Sequence, residues 1–311
     1  MSTKISSRKT NGSIVSFVGR NRLRDGDLKR FGFLLLPWLM LCELCKARAA
    51  RKSWNDAFFQ IFSAGEEPPS SATLHIDAGG EDRKLKFVCI SDTHMLHENV
   101  VVPDGDILIH CGDFTNHGSL DEVQRFAKWL GALPHAIKII VPGNHDMILD
   151  KAYYEDYWSD WSTVKESSGD AYACLHSVPN TYVLVDQGLS INGVNIWGAP
   201  WVPRYTSWKT AFNKTPDEMK EHWETTLLAE NSVAKERGID ILLTHTPAYM
   251  CGDMMPSGRH KGCSHLTRAV TELAPKYHVC GHIHSDYGIH SASRSNTATV
   301  SLGLEHAGVL L

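Results

Sequence analysis

The feature that most constrains this chain is a short apolar run that recurs five times, each time ending in a loop of metal-ligand residue types. The first is Val88-Cys89-Ile90-Ser91-Asp92-Thr93-His94. Asp106-Ile107-Leu108-Ile109-His110-Cys111 runs into Gly112-Asp113, and Ile139-Ile140-Val141-Pro142 into Gly143-Asn144-His145-Asp146. Ile241-Leu242-Leu243 leads to Thr244-His245-Thr246-Pro247, and Tyr277-His278-Val279-Cys280 to Gly281-His282-Ile283-His284. An apolar run bounded by turn residues reads as a buried strand. In an open α/β sheet, groups just past the carboxyl ends of strands face the crevice where ligands bind. One such loop is as readily a capped turn. Five in order are specific.

Helical patterns separate several of these strands. Leu120 to about Leu133 carries Val123, Phe126, Ala127, Leu130 and Leu133 on one stripe, opened by a capping box of Ser119 and Glu122. A second helix starts with Thr215 as N-cap, Pro216 at the first position and Glu218 completing the box, and is expected to run to near Gly238. A third spans about Ser264 to Ala274 and stops at Pro275. Strands are predicted at Leu85–Ser91, Ile107–Cys111, Ile137–Val141, Ile239–Thr244 and Tyr277–Cys280. Asn192-Gly193 marks a tight hairpin within Thr181–Trp197. Strands alternating with helices imply a layered α/β domain, and the hairpin implies some antiparallel pairing.

Composition fits a globular enzyme with 42% hydrophobic and 21% charged residues. The net charge of -4 offers no electrostatic footprint for extended nucleic acid. Seventeen histidines, several in the loops above, suggest metal or acid–base work. Eight cysteines lack disulfide-like spacing, and Cys42-Glu43-Leu44-Cys45 has no second pair to make a zinc site. Their use leans towards a reducing, intracellular setting. Residues 1–80 read as an N-terminal extension and 81–311 as the catalytic domain. The extension has a basic, serine-rich start, then Phe31–Cys42, an apolar run too short to span a membrane and broken by Pro37. Its expected role is targeting or docking. The expected location is cytoplasmic, with organelle targeting by the basic segment as the alternative.

The series Asp92-x-His94, Gly112-Asp113, Gly143-Asn144-His145-Asp146, His245 and Gly281-His282-x-His284 resembles the calcineurin-like metallophosphoesterase superfamily, from about Phe87 to Leu302. The stretches FVCISDTH, GDILIHCGDFT and WGAPW are most similar to its metallophosphoesterase-domain-containing (MPPED) branch. In that branch the first His of the last motif can be replaced by Gly; here His282 is present. The resemblance implies a four-layer α/β metallophosphoesterase fold, two mixed β-sheets packed face to face and flanked by helices.

It also implies a dinuclear site. Asp92, His94 and His284 would hold one ion, Asn144, His245 and His282 the other, and Asp113 would bridge both. Two ions about 3.5–4 Å apart can clamp a phosphate and turn a bridging water into hydroxide near neutral pH. The mixed donor set suits Mn²⁺, Fe or Zn²⁺. His145 would face the substrate as a general acid, with Asp146 orienting its ring. The arginines that clamp phosphate in the superfamily's protein phosphatases are missing: Phe114-Thr115-Asn116-His117 follows Asp113, and Pro142 precedes Gly143. A small nucleotide-like phosphodiester, cyclic nucleotides included, is therefore the expected substrate. Trp201 and Trp208 could stack a base, Arg204 meet a phosphate, and His117 approach the site. A phosphomonoesterase, a nuclease or a low-turnover metal-binding scaffold are the competing readings.

Overall fold

The computed structural model describes residues 85–204, 209–291 and 297–302, together with two short strands near the N-terminus. Apart from those strands, the extension to residue 80, with its apolar run and Cys42–Cys45 pair, lies outside the described residues, as does Trp208. The strands are β1 (Val15–Phe17), β2 (Gln60–Ser63), β3 (Phe87–Ile90), β4 (Ile107–His110), β5 (Ile137–Ile140), β6 (Thr181–Val183) and β7 (Gln187–Ile191). There follow β8 (Val194–Ala199), β9 (Val202–Pro203), β10 (Asn213–Lys214), β11 (Ile241–Thr244), β12 (Tyr277–Cys280), β13 (Gly288–Ser291) and β14 (Ala298–Ser301). The helices are α1 (Leu120–Ala132), α2 (Lys151–Tyr157), α3 (Ser168–His176), α4 (Pro216–Thr226), α5 (Val233–Arg237) and α6 (Ser264–Leu273).

Two sheets form. The first has the order β1-β3-β4-β5-β6 and is parallel throughout. The second has the order β13-β14-β12-β11-β8-β7-β2 and carries the mixed pairing: β8, β11, β12 and β14 are parallel neighbours, whereas β7 and β13 pair antiparallel. The β7–β8 hairpin turns at Asn192 and Gly193, both at positive φ, as the two-residue turn requires.

The period-2 alternation of the strands builds the layers. Phe87, Cys89, Ile107, Ile109, Ile137 and Ile139 share one core with Leu189, Ile196, Ile241, Leu243, Val279 and Val300 of the second sheet. The alternate residues Val88, Ile90, Leu108 and Ile140 pack on Val123, Phe126 and Leu130 of α1 and Leu175 of α3. On the far side, Trp197 and Leu242 pack on Met219 and Trp223 of α4 and Leu266 and Val270 of α6. The result is helix, sheet, sheet, helix. Each such side chain contributes about 1.5–3 kcal/mol by leaving water, so the sheets are held in fixed relation.

One expected element is divided. The helix starting at Thr215 ends at Thr226, and a separate helix begins at Val233. Ser232 causes the break: its hydroxyl donates to Leu227 O at 2.9 Å and accepts the N–H of Lys235 as the N-cap of α5. The aromatic helices α2 and α3 arise where no stripe was expected. Among the described residues, no helix is long and apolar enough to cross a membrane.

Candidate metal centre

Parallel pairing brings the carboxyl ends of β3, β4 and β5 to one edge, and those of β11 and β12 arrive beside them from the second sheet. Backbone bonds lace the loops together: Asp92 N–H donates to Gly112 O and Gly281 N–H to His245 O, both at 2.9 Å. Asp92, Asp113 and His282 all sit at positive φ, an uncommon conformation for such residues and one often found at functional sites. Gly112, at φ 98°, is needed for space as well: a Cβ there would meet His245 Nδ1 at 2.6 Å.

Ligand-type atoms converge in three overlapping groups, Asp92–His94–His284, His94–Asp113–His145 and Asp113–His245–His282, each with its atoms within 4.8 Å of one another. Asp113 Oδ2 lies 3.2 Å from His245 Nε2 and 3.8 Å from His94 Nε2. Asp92 Oδ1 lies 3.2 Å from His284 Nε2, and the Asp92 carboxylate also accepts the N–H of His282. Asn144 Oδ1 is 3.1 Å from His245 Nε2. All seven residues expected as ligands are thus within one constellation, and the carboxylates are almost fully buried.

Backbone carbonyls set the ring orientations. Cys111 O lies 2.7 Å from His245 Nδ1, Thr115 O 3.3 Å from His94 Nδ1 and Asn116 O 2.8 Å from His145 Nδ1. A ring that donates Nδ1–H to a carbonyl presents a lone pair at Nε2, the arrangement usual for metal-binding histidine. In His245 that lone pair would face the oxygens of Asp113 and Asn144. Acceptor against acceptor is repulsive, and a divalent cation between them removes the conflict. The donor set therefore fits a metal ion.

The electrostatics agree. Burial opposes ionisation of Asp113, but the neighbouring His245 outweighs it and holds the carboxyl far below the usual range. Burial likewise disfavours charge on His245, yet Asp113 wins and raises it to about 9, a proton standing where a cation would stand. Burial, with His245 beside it, pushes His282 down to about 4, leaving a neutral ring suited to ligation. His284 is raised, first by its hydrogen bond to Asp92.

Four other expected residues have different surroundings. Asp146 does not orient His145, whose ring is held by Asn116. The Asp146 carboxylate instead accepts the N–H groups of Asp113, Thr115 and Gly143 and the Thr115 hydroxyl, tying two ligand loops together. Trp201 is not an open stacking platform. Lys214 Nζ covers its ring at 3.8 Å from the centroid, Phe212 and His222 abut it, and its indole N–H donates to Asp186. Arg204 continues the β9–β10 pairing, its N–H donating to Lys214 O at 2.7 Å. His117 is exposed, stacks on Trp161 and is in none of the three ligand groups. Thr115 and Asn116 are the residues the motifs did not disclose. Each holds a ring through its main-chain oxygen, which leaves no trace in residue type.

Comparison with known proteins follows the same lines. The model of the calcineurin-like phosphoesterase family matches residues 85–286. Metallophosphoesterase domain-containing protein 1 of Homo sapiens is 35% identical over 245 residues, covering 75% of this chain and 71% of the human protein, and the Mus musculus protein matches equally. The UPF0046 protein C25E10.12 of Caenorhabditis elegans is 35% identical over 232 residues, covering 70% of this chain and 74% of its own. With its motifs gathered at the strand ends of two packed sheets, the chain belongs to the calcineurin-like phosphoesterase family, whose members use divalent metals.

Proposed function

We propose that this chain is a dinuclear metal-dependent phosphodiesterase acting on small nucleotide-like substrates, including 2′,3′- or 3′,5′-cyclic nucleotides, with Mn²⁺ as the working ion and Fe or Zn²⁺ as alternatives. The carrying observation is Asp113. Its carboxylate belongs to two ligand groups at once, with His94 on one side and His245 on the other. In this reading Asp92, His94 and His284 hold one ion, Asn144, His245 and His282 hold the second, and Asp113 is common to both.

The ions supply Lewis acidity towards phosphoryl oxygens and make water acidic enough to ionise near neutral pH. The chain supplies the rest. The main-chain carbonyls behind His94 and His245 hold their rings fixed, so the site does not reorganise when substrate arrives. His145, half-buried beside His94 and Asp113, has Nδ1 held by Asn116 and keeps Nε2 to bind phosphoryl charge or protonate the leaving oxygen. The missing arginine clamps and the modest net charge favour a small diester over a phosphoprotein or a long polynucleotide.

The test is hydrolysis by metal-stripped protein with Mn²⁺ restored, on bis-p-nitrophenyl phosphate, the two kinds of cyclic nucleotide, p-nitrophenyl phosphate and a single-stranded oligonucleotide. Diesters should turn over fastest, and Asp113→Asn should lose about 10³-fold. Full activity in that variant, or a protein that binds two ions yet hydrolyses no phosphoester, overturns the reading. Faster turnover of the monoester or the oligonucleotide replaces phosphodiesterase with phosphomonoesterase or nuclease.

A further inference from the structure

Two fully buried histidines lie outside the ligand set, His110 at the end of β4 in the first sheet and His278 within β12 in the second. Each lies next to a residue of the inter-sheet core, Ile109 or Val279, so alternation turns it towards the helix layer. Each reaches the neighbouring chain end at a threonine. His110 Nε2 is 3.1 Å from Thr93 Oγ1, and His278 Nε2 is 2.8 Å from Thr244 Oγ1. Each threonine directly precedes a histidine of the metal cluster, His94 or His245.

The proton positions follow from the partners. Gly112 N–H donates to His110 Nδ1 at 3.2 Å, so the ring proton sits on Nε2 and goes to Thr93. The Thr244 hydroxyl donates to Thr246 O at 2.6 Å, so it accepts from His278 Nε2–H. Both rings are neutral, since burial pushes each down to about 3. Neither Nε2–H is available to a substrate. The bond from Thr244 to Thr246 O arches the backbone over His245, and the His278 ring holds that hydroxyl in place. Across the molecule, Gly112 hangs on His110 by its N–H and takes the N–H of Asp92 on its carbonyl. His110 therefore ties the loop of Asp113 to the loop of Asp92 and His94.

We propose that His110 and His278 are a matched pair of positioning residues, each fixing a metal-ligand histidine on the neighbouring strand by locking the threonine hydroxyl before it. The proposal rests on His94 and His245 being ligands, as in the function above. Groups bonded directly behind a ligand typically alter metal affinity or activity by about 10–100-fold, and acting one residue removed this pair is expected at the low end of that range.

The test uses the full chain, metal-stripped, titrated with Mn²⁺ by calorimetry, then assayed for kcat and KM on bis-p-nitrophenyl phosphate at saturating Mn²⁺. Thr93→Val and Thr244→Val keep side-chain shape and lose the hydroxyl. Each should bind Mn²⁺ about 10-fold more weakly and lose kcat with KM unchanged. Thr93→Ser, Thr244→Ser and His278→Gln, which keep the hydrogen bond, should bind as the parent does. Where His110→Leu or His278→Leu fails to fold, the valine variants, followed by circular dichroism, carry the result. Parent-like affinity and kcat in both folded valine variants overturns the inference alone, as does equal loss in the serine and valine forms. A parent that binds fewer than two ions overturns it together with the dinuclear reading.

Discussion

Asp146 accepts the backbone N–H of Asp113 at 2.9 Å while also accepting that of Gly143 at 2.8 Å, so one buried carboxylate joins the loops after β4 and β5. Two bonds from Thr115, through its N–H and its hydroxyl, complete the set. Burial and the Asp113 charge push its pKa up to about 7, against donors that favour the anion. In Asp146→Asn an amide donor would face backbone donors. Stability should fall by about 2–3 kcal/mol in a urea titration, and the pH profile of kcat in the surviving folded fraction should keep the parent's shape. A changed acid limb with unaltered stability would restore Asp146 to proton transfer.

His145 should behave in the opposite way. Its backbone N–H donates to Asp113 Oδ1 at 2.8 Å and survives substitution, while the ring is lost. His145→Ala should therefore keep its metal content by elemental analysis and its melting temperature. Turnover should drop about 10²-fold or more for a diester with an alkoxide leaving group, and less for p-nitrophenolate, which needs no proton. An equal loss on both substrates would remove the general-acid role and leave charge stabilisation.

Trp201 is engaged by Lys214, Phe212, His222 and Asp186, which makes it a packing residue. Trp201→Ala should cost about 3 kcal/mol of stability and leave KM for a cyclic nucleotide at the parent's value. A raised KM with stability intact would show that a base stacks there.

Acid should destabilise the metal-stripped protein through its buried rings. His110 and His278 titrate near 3 when folded and near their ordinary value of 6.5 when unfolded. The unfolded chain then binds more protons, so their contribution is intact above about pH 6.5 and shrinks as pH falls towards 3. Each ring contributes about 1.4 kcal/mol per pH unit across that window. Asp146, raised when folded, runs the other way between its two values and offsets part of the slope. Comparing parent with His278→Gln isolates one ring: the variant's stability should fall less steeply between pH 6 and 4. Parallel slopes would mean that His278 is not a neutral buried group.

The five strand ends were legible because apolar runs that stop at Gly, Asp, Asn or His have few alternatives, and parallel pairing sends them to one edge. The box of Ser119 and Glu122 likewise marked the start of α1, since both of its bonds are local. Other features needed the third dimension. Ser232 splits a helix by a bond to Leu227 that periodicity does not show. The arrangement around Trp201 depends on Lys214 and Asp186, each more than ten residues away. His110 and His278 look like interruptions in apolar strands, because their threonine partners stand 17 and 34 residues off. Sequence spacing identifies which side chains can bind a metal. What holds those side chains still is spread along the chain.

The bond between Asp92 and the N–H of His282 spans 190 residues. A chain emerging from the ribosome with β3, β4 and β5 complete carries Asp92, His94, Asp113 and Asn144, but nothing opposite them. Only after β12 has been made can His282 and His284 reach Asp92 and the circuit close. If the proposed ligand set binds an ion, its capture would be a late event in the life of each molecule, and a cation held by both sheets would act as a reversible cross-link between the first half of the domain and the last.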